Sequence, residues 1–566
     1  MNNFRKENKN KVPIYTVPNQ NEKGYKNSNQ IGYENTISSK DEIILKAFNY
    51  HSKGNIKEAS KYYQLFLNKG FNDPRVLSNF GLICHASGKN DLAIQLFRRS
   101  IQFFPDNSNA YSNLGNLLKD LGKLKEAEKL LLKAIELSPT FSNAYINLGI
   151  VLQEMGKFKE AEEMTLKAIK YNPNSAISYS NLGSILIDLG KFKEAEIATR
   201  KAINMDPSQA VFYSILSEIM LSLGKFQEAE VEIRKSVSLG SSSVGSYLIF
   251  AKILFKQDKK EQAINQIIKG LEKNPNDHKL ILFFLHILSL YQPKSNVNHY
   301  LIQANHEFTQ IKNYTSNRLF IDDLAVKEIY LDCLRIYSKY QINIETNLSQ
   351  IYIKNNDINL NCRRHKYLFD QYEIIPENCF SCFKVQIEPK TLIDLIKIYI
   401  VFEELELENN NSRKCMIELR QGIKGFYKGL IYCSSLDESK YVSSRLDKYV
   451  EKTLGHDLRS TIKRGCSEFA MKFPSYKEID NSKMEPMQYK NIWKKIEKKL
   501  DNENRYWGNN YESIVGLNLD KFLVIRNWIS YAQRIGDVSV NLLTEDKSIG
   551  NPSIFCGVDL KNINNS

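Results

Sequence analysis

The chain is short of everything that marks a membrane or secreted protein. Its longest apolar run, "LILFFLHILSLY" at 280–291, is about half of what a membrane span needs. Nine cysteines in 566 residues, unevenly spread, are too few for a disulfide framework. No apolar leader opens the chain, since "MNNFRKENKNKVPIYTVPNQ" is polar throughout. Charge of one sign does not dominate either: Lys+Arg 78 against Asp+Glu 64 leave a formal +14. That balance permits an acidic partner or a nucleic acid without requiring one. Together these absences lead us to expect a cytoplasmic protein with reduced thiols and no membrane contact, in which clustered cysteines point to metal or redox chemistry. Catalytic sets are missing as well. There is no Gly-rich phosphate loop, and beyond residue 300 only His306, His365 and His456 remain, none with an acid or nucleophile at motif spacing. The adjacent His and Asp of "GHDL" at 455–458 do not have the spacing of an iron-oxygenase triad.

What is present is a period. Residues 1–38, rich in Asn, Lys, Gly and Ser, have no apolar periodicity and read as a disordered tail. After them Pro105, Pro139, Pro173 and Pro207 stand 34 apart, and Pro275 falls two periods on. Ala93, Ala127, Ala161, Ala195, Ala229 and Ala263 keep the same step, as do Gly88, Gly122, Gly156, Gly190 and Gly224. Several positions locked to one period mean a repeat array. In one unit, Tyr111, Leu114, Leu118 and Leu121 recur at helical spacing, Gly122 ends that helix, and Ala127, Leu131 and Ala134 mark the face of a second. Gly115 and Ala127 let the two helices approach closely, and Pro139 stops the second. A single pair cannot bury its own face, so the pairs must stack into a solenoid.

These residues resemble the tetratricopeptide repeat. Tyr111, Leu114, Gly115, Ala127, Ala134 and Pro139 stand at its signature positions, as do Tyr145, Leu148, Gly149, Ala161, Ala168 and Pro173, then Tyr179, Leu182, Gly183, Ala195, Ala202 and Pro207. About seven units cover 40–277, with Ala47 and Ser217 replacing the signature glycine in the first and sixth. The first helix of each unit should line the concave side. Asn79, Asn113, Asn147 and Asn181 share one slot in four successive units, and Asn109, Asn116 and Asn143 lie in the same helices. An amide offers one acceptor and two donors, which suit a peptide backbone of any sequence. The repeats resemble the solenoid of the O-linked N-acetylglucosamine transferases, which implies an asparagine ladder holding an extended polypeptide. The competing reading is that each Asn bonds within its own repeat. Ser112, Ile146 and Ser180 occupy slots where chaperone-binding repeats carry a carboxylate clamp, so a C-terminal carboxylate is not the expected ligand.

Residues 278–357 continue as helix without the period and read as a cap on the array, with Cys333 in its core. Over 358–475 the pattern changes to strand (382–388), helix (392–405), strand (414–420), strand, helix (437–454) and a last strand region in "RSTIKRGCSEFAMKF". That order is the ferredoxin-like split βαβ arrangement, an α+β sheet with both helices on one face. The expected fold class is therefore mainly α, a superhelical solenoid and helical cap followed by a smaller α+β domain. The remainder, 476–566, reads as a helical extension with helices at 486–501 and 519–536.

Before that sheet stands "CRRHKYLFDQYEIIPENCFSC": Cys362, His365, Cys379 and Cys382 form a C-x2-H pair, thirteen residues, then a C-x2-C pair. Such pairs, each on one tight turn, build closed structural zinc sites. A redox dithiol and no metal at all are the competing readings, and Cys415, Cys433 and Cys466 read as core residues on other strands, one of which can replace His365 as a ligand. On the open face of the sheet Lys384, Gln386, Lys414, Glu418, Arg420, Lys428 and Tyr432 alternate away from the helices. RNA-recognition modules use such a face, and Lys424, Gly425 and Phe426 fit their middle-strand motif while Tyr427 and Lys428 do not, so a solvated basic face is the preferred reading and nucleic acid an unexpected partner. The whole arrangement resembles bacterial tetratricopeptide proteins with a C-terminal domain of unassigned function. The expected function is a scaffold that grips an extended polypeptide; the alternatives are an enzyme subunit acting on the bound protein, linked to glycosyl transfer, or RNA binding through the sheet.

Overall fold

The computed structural model describes residues 39–544 apart from 242, 295–297, 312–319, 354–361, 421–424, 456–457, 480–484, 502–512 and 515. The tail expected over 1–38 and His456 lie outside the described residues. The chain divides into two compact units, Met1–Ile249 and Phe250–Ser566.

Helices alternate in pairs: α1 (Ser39–Ser52) with α2 (Ile56–Asn68), α3 (Pro74–Ala86) with α4 (Asn90–Phe103), α5 (Ser108–Asp120) with α6 (Leu124–Leu137), and α7 (Ser142–Glu154) with α8 (Phe158–Tyr171). They continue as α9 (Ala176–Asp188) with α10 (Phe192–Met205), α11 (Ala210–Ser222) with α12 (Phe226–Ser238), and α13 (Val244–Lys256) with α14 (Lys260–Lys273). The turn chemistry explains the repetition. Gly88, Gly122, Gly156, Gly190 and Gly224 take φ of +73° to +77°, a left-handed region that favours glycine. The lysine after each glycine then donates its N–H back to a carbonyl inside the finished helix, as Lys123 N does to Leu118 O at 2.9 Å, which satisfies an otherwise orphaned acceptor. Within the second to fifth pairs the contact is too tight for a side chain. A Cβ on Gly115 would lie 2.8 Å from Leu131 Cγ, and one on Gly149 2.5 Å from Thr165 Oγ1. Leu114, Leu118, Ala127, Leu131 and Ala134 are buried as the spacing requires. Leu121 is not: it is the C-cap of α5, past the end of the buried stripe, and is 41% exposed.

The second unit continues through α15 (His278–Leu290), α16 (Tyr300–Gln310) and α17 (Asp323–Lys339) to a five-stranded sheet. Its elements are β1 (Gln350–Ile353), α18 (Cys362–Tyr372), β2 (Phe383–Ile387), α19 (Leu392–Glu404), β3 (Arg413–Ile417), β4 (Tyr427–Cys433), α20 (Leu436–Leu454) and β5 (Thr461–Arg464). The strands lie in the order β1-β3-β4-β2-β5, every neighbour antiparallel. Without β1 this is the split βαβ order, and α19 and α20 pack on one face and on each other. Val385, Ile387, Cys415, Ile417, Ile431 and Cys433 bury the alternate positions beneath those helices. Gly429 is where β4 meets α19, since a Cβ there would sit 2.8 Å from Ile398 Cγ2.

Three elements depart from the sequence reading. β1 adds an edge strand in a segment read as helical; four residues are too few for a period to register. The last strand region stops at Arg464 and turns into α21 (Ser467–Lys472), so Cys466 is a helix N-cap and not a strand residue. The chain closes with α22 (Asn491–Asp501), α23 (Leu519–Ile535) and α24 (Asn541–Thr544). α23 is a core helix rather than an extension, buried at almost every position from Leu519 to Ala532. Its Phe522 ring packs against Phe308, Tyr330 and Tyr337, while Trp528 Nε1 donates to Ser349 O at 2.9 Å beside β1. Among the described residues no helix is long and apolar enough to cross a membrane.

Candidate functional site

In the first unit the opening helices of successive pairs pack directly on one another, α3 on α5, α5 on α7, α7 on α9 and α9 on α11. Crowding on that side makes it the inner wall of the array. The seven asparagines do not all reach its surface. Asn79 is buried at 4% exposure and hydrogen-bonds Tyr63, whose hydroxyl meets His51 Nδ1 at 2.8 Å. Asn113 is buried as well. Asn147 is half-buried and donates Nδ2 to Ser112 Oγ at 3.2 Å, and half-buried Asn116 accepts from Lys119 Nζ at 3.0 Å. Asn109 and Asn181 are half-buried and Asn143 is exposed. A second polar row runs along the C-terminal ends of the same helices, which sequence reasoning missed. His85 Nε2 meets Asp120 Oδ2 at 3.0 Å, and Gln153 Nε2 donates to Asp188 Oδ2 at 2.6 Å. His85 and Gln153 are two periods apart, so the signal was present in the same repeat step.

In the second unit the face of the sheet away from α19 and α20 is partly covered. Cys362, His365 and Phe369 of α18, with Phe469 of α21, stand opposite it and enclose a cavity of about 530 Å³. All seven residues read as the basic face line that cavity. Gln386, Glu418, Lys428 and Tyr432 are each at most 5% exposed, so the expected solvated surface is an interior wall. Tyr427 turns to the helix side, where its hydroxyl donates to Asp537 Oδ2 at 2.7 Å.

Charge is divided unevenly along the cavity. At one end Glu418 accepts from Arg420 Nε at 2.7 Å and Lys428 Nζ at 3.0 Å, and Arg420 also pairs with Glu468. Burial works against the Glu418 carboxylate, but Arg420 and Lys428 outweigh it and hold its pKa at about 2. At the other end two ammonium groups have no carboxylate in direct contact among the described residues, although the Lys384 charge acts on Glu468 from a distance. Lys384 Nζ donates to Cys466 Sγ at 3.5 Å and stands 5.2 Å from the Tyr432 ring. Lys414 Nζ reaches Gln350 Oε1 at 3.4 Å and the Tyr352 ring at 5.5 Å. Among the described residues neither meets a carboxylate. Burial, then the like charge of Lys384, bring Lys414 down to about 8.

The four residues expected to hold zinc border this cavity. Cys362 and His365 lie one turn apart on α18, not on a tight turn, and Cys379 lies on a 3-10 turn, Glu377–Phe380, with Cys382 just beyond it. His365 Nδ1 contacts Cys379 Sγ at 3.2 Å, while its Nε2 is buried without a partner among the described residues. Burial, with Arg364 adding to it, lowers His365 to about 4, and burial pushes Cys379 up and Cys382 to about 11. Among the described residues no three His, Cys, Asp or Glu side chains converge closely enough to hold a metal ion. Cys466 joins the same wall, as does the buried Cys433 of β4, whereas the buried Cys415 of β3 does not.

Comparison with known proteins follows the repeats. Residues 72–140 and 106–171, and again 164–197, match tetratricopeptide-repeat families, and 188–270 match the family described as anaphase-promoting complex, cyclosome, subunit 3. The uncharacterized protein YgeG of Escherichia coli is 35% identical over 65 residues, 12% of this chain, and the chain spans 40% of that relative's length. A tetratricopeptide repeat protein from Parabacteroides merdae is 20% identical, covering 44% of this chain and 99% of that one with a TM-score of 0.38. YrrB, a TPR protein described as having an unusual peptide-binding site, is 20% identical over 33% of this chain and 96% of its own, with a TM-score of 0.26.

Proposed function

Starting from a chain that is a tetratricopeptide-repeat protein, we propose that it is a protein-interaction scaffold whose inner wall takes an extended polypeptide. One observation supports this reading. Asn109, Asn116, Asn143, Asn147 and Asn181 keep solvent access on three consecutive opening helices, α5, α7 and α9. Amides spaced along such a wall can each give and accept a backbone hydrogen bond, so the partner is held by its main chain and its sequence is read elsewhere. Asn79 and Asn113, being buried, hold the wall together from within. The test is affinity capture with the intact chain and with Asn116, Asn143 and Asn181 changed together to Ala. Loss of the captured partners, with thermal stability kept, is the expected result; an unchanged set of partners overturns the reading.

A further inference from the structure

We infer that the cavity over the sheet is a binding site for a small organic anion, its carboxylate or phosphoryl group lying between Lys384 and Lys414. The argument starts from a charge imbalance. Arg420 and Lys428 pair with Glu418 and Glu468 at one end, so those four charges sum to zero, and Glu468 reaches Lys384 only through space, without a contact. Lys384 and Lys414 remain, two half-buried ammonium groups on one cavity wall, and among the described residues their hydrogen-bond partners are a thiol and a neutral amide. Holding like charges together out of water is unfavourable unless an opposite charge joins them. Lys463, on the neighbouring strand, is 4.0 Å from Glu388 and does not relieve them.

The rest of the wall fits the body of such a ligand. About 530 Å³ lies within the range of small-molecule sites, which are apolar with a few convergent polar groups. Met416, Leu430 and Tyr432 form an apolar cluster on the sheet, and Phe369 and Phe469 face it from the helices. A cation is the wrong occupant for this end, even with thiols nearby, because the Lys384 ammonium already stands against Cys466.

Phenyl phosphate and benzoate, with neutral benzamide, are the probes, titrated calorimetrically into the full chain. At least one anion should bind, at least tenfold tighter than benzamide, and the tighter of the two names the head group. Lys384→Met and Lys414→Met should each weaken it tenfold or more, whereas Lys440→Met, on the exposed face of α20, should not. Acetic anhydride labelling mapped by mass spectrometry gives a reading free of substitutions: the bound anion should protect Lys414 in the wild-type chain. No binding at millimolar probe, equal binding of benzamide, undiminished affinity in folded lysine variants, or absence of protection each overturns the assignment.

Discussion

Asn147 on α7 donates its Nδ2 to Ser112 Oγ on α5, 3.2 Å away in the preceding repeat. The amide row is therefore also a set of ties between neighbouring repeats. A tie and a ligand contact have different signatures under substitution. Asn147→Ala should lower stability by about 1 kcal/mol, the usual net worth of a hydrogen bond. Asn143→Ala, at an exposed position, should leave stability within about 0.5 kcal/mol of wild type. Urea unfolding of both variants measures this, and equal losses would show that Asn147 is not a tie.

The close approach of paired helices makes its own forecast. Gly149→Ala drives a Cβ to within 2.5 Å of Thr165 Oγ1, and the expected loss is about 1–3 kcal/mol. Because Thr165 is short and stiff, Gly149→Ala combined with Thr165→Ala should recover part of that loss. A double variant no more stable than the single one would place the strain elsewhere, in the Ala161 carbonyl at 3.4 Å.

Acid should act on the cavity through Glu418. Its folded-state pKa of about 2 lies below the ordinary glutamate value, so its contribution is present above that value and is lost as pH falls towards 2. Glu418→Gln should melt lower than wild type at neutral pH, having left Lys428 without its carboxylate and Arg420 with Glu468 alone. The difference should shrink steadily as pH drops from about 4.5 to 2. Melting temperatures of both proteins across that interval give the answer, and a gap independent of pH would mean that Glu418 acts by shape alone.

Metal content tests the cysteines. Cys362, Cys379, Cys382 and Cys466 border one cavity, and we propose that a soft ion can gather thiols there only by displacing the Lys384 ammonium. Lys384→Ala purified without chelator should then carry more zinc per chain than wild type, as read by elemental analysis. Equal zinc in the two would show that Lys384 does not compete.

The repeats were readable because one period is written into every unit, in Gly122 and Ala127 as much as in Pro139. The split βαβ order was readable too, because alternation along β2 and β3 survives in a short window. What escaped depends on neighbours distant in the chain. Nothing local marks Gln350–Ile353 as a strand; it becomes one because Arg413–Ile417 offers it an edge. The basic face looked solvated because α18, which covers it, comes from a segment whose spacing suggested only ligands. Cys466 was placed on a strand because the switch from β5 to α21 takes two residues. Asn79 and Asn113 have the same slot as Asn147 and Asn181 yet differ in burial, a difference the period cannot express.

α23 lies against α15, where Ile514 N just before it donates to Ser289 O at 2.9 Å, against α16 through Leu519 N donating to Asn305 Oδ1 at 3.1 Å, and beside β1 through Trp528. Synthesis delivers these partners at very different times. A ribosome moving along the message finishes β1 long before Trp528 exists, and residues 519–535 emerge only after every strand of the sheet has been made. The first unit has no such wait, since each of its helix pairs closes with its nearest neighbours. The nascent chain thus carries a folded array ahead of a second unit whose core is still missing its central helix, and that interval is when its apolar faces most need shielding from other chains.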